Sequence, residues 1–356
     1  MMRVLRWITA LLILGLCAVS LLPLVETNIW WVRFLDFPRL QFGAALLALL
    51  LLWLILGGWR GRRALLLLPA LAALGYHGWK LWPYQPLAAP MVATAAQCDE
   101  GDRLRVLIAN VQRSNRDAEA VIALARAQKP DIFFVMEINA WWDAQLSALD
   151  ADFPYHVQAI PDEATYFGLH AFSRHPMDET EIRHPLGADT PMLVTTLRHP
   201  ARDVRFIGVH PRPPQQGQPS TIRDAVVLDA AVTAARSDVP AIVAGDYNGT
   251  PWERTARRAM RIGGLVDPRV GRGLAISFDH HSAWMKWPLD QILWQPGPAL
   301  LDFAVMDPIG SDHLPVQADL CLTSETEARV VPRRADDMEE AQTSFDAARA
   351  LNGVAD

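Results

Sequence analysis

Hydrophobic and polar positions divide the chain into two unlike parts. Within the first 82 residues, three long runs carry no charged side chain, at residues 7–25, 42–59 and 64–79. Each run approaches the roughly 17–25 residues with which a helix crosses about 30 Å of hydrocarbon. The pattern predicts a transmembrane region over residues 1–82, with about three helices at 7–25, 42–59 and 64–82. Two alternatives stay open: the first run is a cleaved signal peptide, or the third, which Lys80 cuts short, is a buried core helix.

The charged residues around these runs predict an orientation. Arginines precede the first run and fill the link between the second and third, namely Arg3, Arg6, Arg60, Arg62 and Arg63. Lys and Arg near membrane ends favour the cytoplasm, whereas the Trp- and Phe-rich loop at residues 26–41 is typical of a membrane interface. We therefore expect an integral protein of a bacterial inner membrane, held by lipid contacts, with the rest of the chain on the periplasmic side. Cleavage of the first helix would preserve this orientation, and loss of the third would reverse it.

Beyond residue 82 the pattern changes to short apolar runs separated by polar ones. A Pro- and Ala-rich stretch at residues 83–98 predicts a linker, and residues 99–322 are expected to form one domain of about 220 residues. Strands are predicted at residues 103–110, 131–136, 168–172, 192–197, 204–209, 241–244, 289–294 and 316–320, and helices at 117–128, 220–235 and 251–262. Many strands with few helices are most simply two packed sheets with helices outside. Residues 323–356, charged and poor in large apolar side chains, predict a disordered tail with at most one short helix.

Composition excludes several classes of protein. Hydrophobic residues make up 51% of the 356 residues and charged residues only 20%, and the apolar excess lies in the first 82. Three cysteines cannot staple a fold of this length, so a disulfide scaffold is excluded. The net charge of −6 argues against a protein that coats DNA.

Most polar residues that carry chemistry lie at or just after the ends of predicted strands, while Asp290 lies inside one and Asp312 and His313 precede the last. They are Asn110, Glu137, His210, Asp246, Asn248, Asp290, Asp312 and His313. Carboxylate and amide oxygens suit a hard cation such as Mg²⁺, and histidines beside carboxylates suit phosphate contact and proton transfer. No Walker loop, G-x-S-x-G turn, H-E-x-x-H segment or cysteine pair with zinc spacing is present.

The order of these motifs resembles the endonuclease/exonuclease/phosphatase superfamily of DNase I-like, metal-dependent phosphohydrolases. The motifs are P-D-I-x-x-x-x-E at 130–137, G-x-H at 208–210, G-D-x-N at 245–248, L-D-x-I-L at 289–293 and S-D-H-x-P at 311–315, after an Asn that ends the first strand. The likeness spans about residues 104–322. It implies an α/β (α+β) fold, a four-layer α/β/β/α sandwich of two packed mixed sheets.

The resemblance also implies a role for each residue. Glu137 would be the principal Mg²⁺ ligand, with Mn²⁺ as an alternative ion, and Asn110 and Asp312 would help to hold metal or phosphate. Asp246 would align or deprotonate the attacking water, and Asn248 would orient the phosphate and that aspartate. His313, steadied by Asp290, would contact the phosphoryl oxygens, and His210 would stabilise the transition state or the leaving group.

Two positions depart from the family pattern, and one cluster is unexplained. Met136 stands where glutamine often precedes the metal-binding glutamate, and Gln291 stands where histidine is common. Neither change removes a ligand. Asp279, His280 and His281 form an acid–imidazole cluster that is either a polar loop or a second metal contact.

The resemblance implies a phosphate ester as substrate, and the two hypotheses are an ester of nucleic acid and an ester of phospholipid. Residues 98–322 carry 21 Lys and Arg against 29 Asp and Glu, a net of −8, so nucleic-acid binding would need a local basic patch. One candidate is the face formed by Arg254, Arg257, Arg258 and Arg261, with Trp252 beside it as a packing or stacking residue. The alternative for these arginines is a face that is merely solvated. The alternative to an enzyme is an inactive binding module. The sequence indicates no obligate protein partner.

Cys98 and Cys321 flank the first and last strands of the domain. In the resembled fold these strands lie close together, so the two cysteines are candidates for a disulfide outside the cytoplasm. Two unpaired thiols are the alternative.

Overall fold

The computed structural model describes residues 1–160, 168–186, 190–323 and 328–352. Its α-helices are α1 (Met2–Leu21), α2 (Trp30–Phe34), α3 (Arg39–Ile55), α4 (Leu67–Leu81), α5 (Ala118–Gln128), α6 (Ala140–Leu146), α7 (Thr221–Ala235), α8 (Arg254–Gly263) and α9 (Asp337–Asn352). Its strands are β1 (Arg103–Asn110), β2 (Ile132–Met136), β3 (Tyr155–Ala159), β4 (Leu169–Ser173), β5 (Met177–Arg183), β6 (Met192–Leu197), β7 (Val204–Val209), β8 (Ala241–Asp246), β9 (Asp290–Trp294), β10 (Ala299–Val305) and β11 (Val316–Cys321).

The helices α1, α3 and α4 pack together as a small bundle at the N-terminus. Their shared core includes Ile13, Leu46 and Ala70, all inaccessible to solvent, while large apolar side chains such as Trp7 and Ile55 point outward. Two helical segments, Met2–Leu24 and Gly61–Tyr84, are long and apolar enough to cross a membrane, and Arg39–Ile55 is apolar but shorter. The helices begin and end within a few residues of the predicted runs, except that α1 starts at Met2.

Two mixed sheets face each other in the larger part of the chain. The first has the strand order β10, β11, β1, β2, β4, β3, and the second has the order β5, β6, β7, β8, β9. The pairs β1–β2 and β7–β8 are parallel, and the other pairs are antiparallel. Each sheet is therefore organised around one central parallel pair, which sends two strand ends to the same edge.

The core lies in three apolar layers around these sheets. Side chains such as Phe134 and Phe206, with ring centroids 5.7 Å apart, fill the space between the sheets. Helices α5 and α6 cover the outer face of the first sheet, and α7, α8 and α9 cover the outer face of the second. The expected four-layer α/β/β/α sandwich is confirmed.

Three strands and the short helices α2 and α6 were not predicted from the sequence. The strands β3 and β5 are edge strands whose side chains are largely exposed, so they show no apolar run to read. Strand β10 also lies at a sheet edge and carries the charged Asp302. The short helix α6 is capped by Asn139, whose side chain accepts the Trp142 N–H at 3.0 Å.

The segment expected to be a free linker is built into the domain edge. Val92, almost fully buried, pairs with Ala328, and Thr94 pairs with Leu300. Cys98 and Cys321 are disulfide-bonded, so the hypothesis of a bonded pair holds over two free thiols. The connection between the helical bundle and the sandwich is therefore fixed by sheet pairing and by a covalent link.

The expectation of a disordered tail with a short helix is wrong for residues 337–352. These residues form the 16-residue helix α9, which packs against α7 through the buried Ala341 and Ala348. Small alanines on one face, together with Phe345, allow close packing although large apolar side chains, whose scarcity suggested disorder, are few. The rest of that tail at residues 324–327 and 353–356 lies outside the described residues.

Candidate functional site

The strand registers bring the predicted polar residues to one edge of the sandwich. Asn110 ends β1 opposite Met136 in the parallel strand β2, so Glu137 follows directly beside it. In the second sheet, Val209 aligns with Gly245, and Asp246 aligns with Asp290 across β8 and β9. Because the ends of both parallel pairs meet at this edge, residues from four strands converge on one site.

Glycines and left-handed residues shape the backbone at this edge. Gly245 has φ +144°, and a Cβ there would lie 1.8 Å from the Val209 carbonyl oxygen. A Cβ on Gly208 would lie 2.6 Å from the Phe134 ring of the facing sheet. Glu137 and Asn248 have φ values of 63° and 45°. The G-x-H and G-D-x-N motifs are thus required by close packing and by turns as well as by chemistry.

Asp246 lies at the centre of the site and is almost fully buried. Its Oδ1 accepts the Asn248 main-chain N–H at 2.8 Å. Its Oδ2 accepts the Asn110 side-chain amide at 3.2 Å, and lies 3.7 Å from His210 Nε2 and 3.6 Å from His313 Nε2. Burial raises the pKa of Asp246, which the positive charge of His313 partly offsets. A carboxylate with a raised pKa is a stronger proton acceptor than an ordinary one.

Asn248 holds Asp246 through its main chain and not through its side chain. Its amide Nδ2 donates to the Pro211 carbonyl oxygen at 2.9 Å. The residue therefore ties the G-D-x-N turn to the segment that follows His210.

His313 and Asp290 form a buried ion pair. His313 Nδ1 lies 2.8 Å from Asp290 Oδ2, and the His313 main-chain N–H donates to Ser311 Oγ at 3.0 Å. Burial alone disfavours the charged ring, but the carboxylates of Asp290 and Asp246 raise the pKa of His313 to about 10. The ring is therefore a cation at neutral pH, with Nε2 directed toward Asp246.

Asp290→Asn should lower the pKa of His313, because the nearest negative charge is removed while Asp246 remains. The measurement is an NMR titration of ring-labelled histidine in the metal-free protein. The raised pKa also contributes stability that is complete below pH 6.5, the ordinary pKa of histidine, and is lost as the pH rises toward 10. The variant should therefore lose less stability than the parent protein over that interval. An unchanged His313 titration would contradict the role assigned to Asp290.

The predicted metal residues offer oxygen atoms that fit a hard divalent cation. Asn110 Nδ2 donates to Glu137 Oε1 at 2.9 Å, and the Arg113 main-chain N–H donates to Glu137 Oε2 at 3.2 Å. Burial raises the pKa of Asp312, and the nearby negative charge of Glu137 raises it further. A divalent cation between the two carboxylates would remove this repulsion, so the donor set fits Mg²⁺ or Mn²⁺.

Another set of potential ligand atoms lies within the same site. Atoms of Asp246, Asp290 and His313 lie within 4.8 Å of one another. His313 is protonated there, and its Nδ1 is already bonded to Asp290, so the ring offers no free lone pair. These three residues suit proton transfer and anion contact better than metal ligation.

The two departures from the resembled pattern have structural roles. The Asp246 main-chain N–H points at Met136 Sδ, 3.1 Å away. Gln291 accepts from Arg269 Nη2 and donates to the Gly249 carbonyl oxygen, each at 3.0 Å. Both side chains therefore support the G-D-x-N turn from beneath.

The predicted substrate face of α8 is covered by other parts of the chain, which corrects that expectation. Arg254 donates to the Thr27 carbonyl and to Asn28, and Arg258 pairs with Glu26 and Glu340. Arg261 pairs with Asp337, and Arg257 lies over the Trp79 ring. Trp252 is buried and donates to the Asp36 carbonyl oxygen at 2.7 Å. A row of arginines on one helix face predicts acidic or polar binding partners. The spacing of the arginines does not show whether those partners belong to a ligand or to the protein itself.

Several functional contacts were not expected from the sequence. Ser311 Oγ donates to the Asn110 carbonyl at 2.8 Å and so ties the connection between β10 and β11 to the end of β1, within the first sheet. Arg223, fully buried, donates to the Asn248 carbonyl at 2.9 Å and pairs with Glu253. The Asp279–His281 cluster belongs to a loop beside Asp312, whose carbonyl oxygen accepts the His280 main-chain N–H at 2.7 Å. The role of Ser311 could have been suspected from its place in the S-D-H-x-P motif. The contacts of Arg223 could not, because its partners are far from it in the sequence.

Comparison with known proteins agrees with this geometry. A family model described as Endonuclease/Exonuclease/phosphatase family matches residues 107–313. A humanized D. rerio TDP2 with 14 mutations gives a TM-score of 0.52 at 17% identity, covering 62% of this chain and 99% of that chain. D. rerio TDP2 complexed with a single strand DNA product gives 0.52 at 16% identity, with 62% and 99% covered. C. elegans TDP2 gives 0.51 at 14% identity, with 80% and 92% covered. These structures show a common fold, and no match is found among curated protein sequences.

Proposed function

The chain belongs to the endonuclease/exonuclease/phosphatase family, whose members are metal-dependent hydrolases of phosphate esters, and we propose that it is a membrane-anchored, Mg²⁺-dependent phosphodiesterase. The observation that carries this proposal is the convergence of Glu137, Asp246 and His313 at one edge of the sandwich. Glu137 supplies a site for a metal cation, Asp246 a buried base and His313 a buried, positively charged ring, all at one place. A binding module has no need of all three, so the geometry favours an enzyme over an inactive scaffold.

Each group of residues in the site has a separate role in the proposed reaction. Mg²⁺, held by Glu137 with Asn110 and Asp312, would neutralise negative charge on the phosphate ester. Asp246 accepts the proton of the attacking water, since its pKa is raised by burial and Asn248 fixes its orientation. The His313 cation, held by Asp290, faces the phosphoryl oxygens, where preorganised positive charge lowers the barrier most.

His210 completes the site on the side of Glu137. Its Nε2 lies 3.9 Å from Glu137 Oε1 and 3.7 Å from Asp246 Oδ2. From this position the ring stabilises the transition state or the leaving group. Its contact with both carboxylates places it between the cation site and the base.

We assign residues 1–82 as a membrane anchor and residues 99–322 as the catalytic domain, with residues 83–98 connecting them. The anchor is supported by outward-facing apolar side chains around the helical bundle, among them Trp7, Ile55 and Leu68. The C-terminal helix α9 is added to the catalytic domain because it packs on α7.

The catalytic domain is assigned to the periplasmic side of a bacterial inner membrane. Arg6 donates to the Leu56 carbonyl at 2.8 Å, which places the basic ends of α1 and α3 together. The catalytic domain contacts the opposite end, where Lys80 Nζ donates to the Trp252 carbonyl at 2.8 Å. Helix ends that carry Lys and Arg favour the cytoplasmic side, so the opposite end, with the catalytic domain, is assigned to the periplasm. The Cys98–Cys321 disulfide agrees with this assignment, because disulfides persist in oxidising compartments.

Chelation tests the proposed chemistry. The full-length protein in detergent should hydrolyse bis(p-nitrophenyl) phosphate with Mg²⁺, should fall to the background rate in EDTA, and should recover when Mg²⁺ or Mn²⁺ is restored. Glu137→Gln should not recover at the same metal concentration, because the principal metal ligand loses its charge. Glu119→Gln, a change on the remote helix α5, should behave as the parent protein. Full hydrolysis in EDTA would contradict metal dependence, and no hydrolysis with metal bound would favour the binding module.

A further inference from the structure

One loop connects the candidate site to the helical bundle. We call residues 277–287 the bridging loop. The Phe278 ring lies 4.7 Å from the His313 ring, and the His280 main-chain N–H donates to the Asp312 carbonyl. Ser277 Oγ accepts the Asp290 main-chain N–H at 3.1 Å. The loop therefore touches three of the residues assigned to catalysis or metal binding.

The other side of the bridging loop rests on the start of α3. Gln41 Nε2, in the first turns of α3, donates to the Trp284 carbonyl at 2.8 Å. Trp287 packs edge-on against Phe37 at 5.3 Å and stacks on Phe278 at 5.9 Å. The Phe278 and Trp287 rings thus connect His313 to the segment that leads into α3, and each ring-to-ring step is shorter than 6 Å.

The surface at this junction is aromatic and exposed. The Trp284 side chain is 62% exposed, and Trp31 and Phe34 of the neighbouring short helix α2 also reach solvent. Trp at the end of a membrane helix is typical of the headgroup layer, where an apolar ring with one polar atom is stable. The bridging loop is therefore continuous with the membrane-facing end of the bundle.

The basic face that was predicted to bind a nucleic-acid backbone is engaged by other parts of the chain. Three of the four α8 arginines expected to bind phosphates pair with Glu26, Asp337 and Glu340, and the fourth, Arg257, lies over the Trp79 ring. Residues 98–322 carry a net of −8, which repels a long polyanion unless a basic groove offsets it. A single phosphate held at the bilayer surface needs no such groove, because the membrane anchor itself keeps the site beside it.

From this placement, and resting on the proposed function, we infer that the substrate is a phospholipid whose headgroup phosphodiester lies in the anchoring bilayer. The bridging loop, with Trp284 at its exposed tip, seats the site on the headgroup layer. The reaction is hydrolysis: water adds to phosphorus, one P–O ester bond breaks, and the leaving alcohol takes the proton removed from the water.

The test uses full-length protein in vesicles of phosphatidylethanolamine, phosphatidylglycerol and cardiolipin with Mg²⁺. Release of phosphorylated headgroup or of headgroup alcohol is measured beside hydrolysis of soluble bis(p-nitrophenyl) phosphate in the same sample. Trp284→Ala should lower lipid hydrolysis about tenfold and leave the rate for the soluble ester unchanged. Transfer of a Trp side chain from water into the headgroup layer favours contact with the bilayer by about a factor of ten or more. The matched control is Trp59→Ala, which changes a 57% exposed Trp beyond the opposite end of α3, and both of its rates should equal those of the parent protein.

The outcomes separate this inference from the proposed function. Hydrolysis of the soluble ester without hydrolysis of lipid would overturn the inference and leave the phosphodiesterase intact, as would cleavage of single-stranded DNA in place of lipid. Equal loss of both rates in Trp284→Ala would also overturn it, because the tip would then act on the catalytic site and not on the bilayer. No hydrolysis of any substrate would overturn the proposed function itself.

Discussion

Asp246→Asn is expected to lower kcat for bis(p-nitrophenyl) phosphate by about 10²–10⁴-fold, the range usual for loss of a general base. Asparagine keeps the shape of the side chain and can still accept the Asn248 main-chain N–H at the same position. It cannot accept a proton from water at neutral pH. The KM should change little, because the metal residues and the His313 cation remain. Steady-state kinetics at saturating Mg²⁺ provide the measurement.

The stability of this variant separates catalysis from folding. Burial raises the pKa of Asp246 above its ordinary value, so the ionised carboxylate costs folding free energy at neutral and higher pH. Removing that charge should leave the protein at least as stable as the parent, as thermal unfolding would show. A kcat close to the parent value would remove Asp246 from the mechanism, and a loss of rate with unfolding would leave its catalytic role undemonstrated.

The site could be predicted from the sequence where its residues are fixed by local structure. Glu137 follows a run of five buried residues, and Asp246 ends another strand, so both positions depend on strand ends that the apolar pattern marks. The parallel pairing of β1 with β2 and of β7 with β8 then brings these ends together. Resemblance supplied the roles, because spacing alone does not distinguish a metal ligand from a turn residue.

The parts that could not be predicted depend on contacts between distant segments. The arginine stripe on α8 is visible in the sequence, but its partners Glu26 and Asp337 lie more than 200 residues before it and about 80 residues after it. Helix α9 carries few large apolar residues, and its burial depends on the alanine-rich α7 surface. Edge strand β5 carries charges on most positions and is defined only by its pairing with β6.

The contact between the bundle and the catalytic domain also depends on residues that are far apart in the sequence. Arg33 lies in the loop between α1 and α3, within the short helix α2 of that loop, and is only 3% exposed. Its Nη2 donates to Glu253 Oε2 at 2.8 Å and to Thr255 Oγ1 at 3.0 Å, and lies 3.2 Å from Asp224 Oδ2. Arg223 pairs with the same two carboxylates and donates to the Asn248 carbonyl. The loop is thus linked to the G-D-x-N turn through one shared group of buried charges.

Arg33→Met should lower the free energy of unfolding by about 3–5 kcal/mol, the usual cost of removing one partner from a buried ion pair. Methionine fills much of the volume but leaves Asp224 and Glu253 with Arg223 as their remaining cation in this group. Urea denaturation in detergent, followed by circular dichroism of the full-length protein, measures the change. Arg126→Met is the matched control, because its pair with Asp152 is solvent-exposed and should cost at most about 1 kcal/mol.

A double variant makes the interpretation specific to the charge. In Arg33→Met with Glu253→Gln, one of the stranded carboxylates is neutral, so the combined loss should be smaller than the sum of the two single losses. Additive losses would indicate that Arg33 acts by packing alone. A loss no greater than that of Arg126→Met would mean that the bundle and the catalytic domain are not held together by this contact, and that Asn248 is positioned without the loop between α1 and α3.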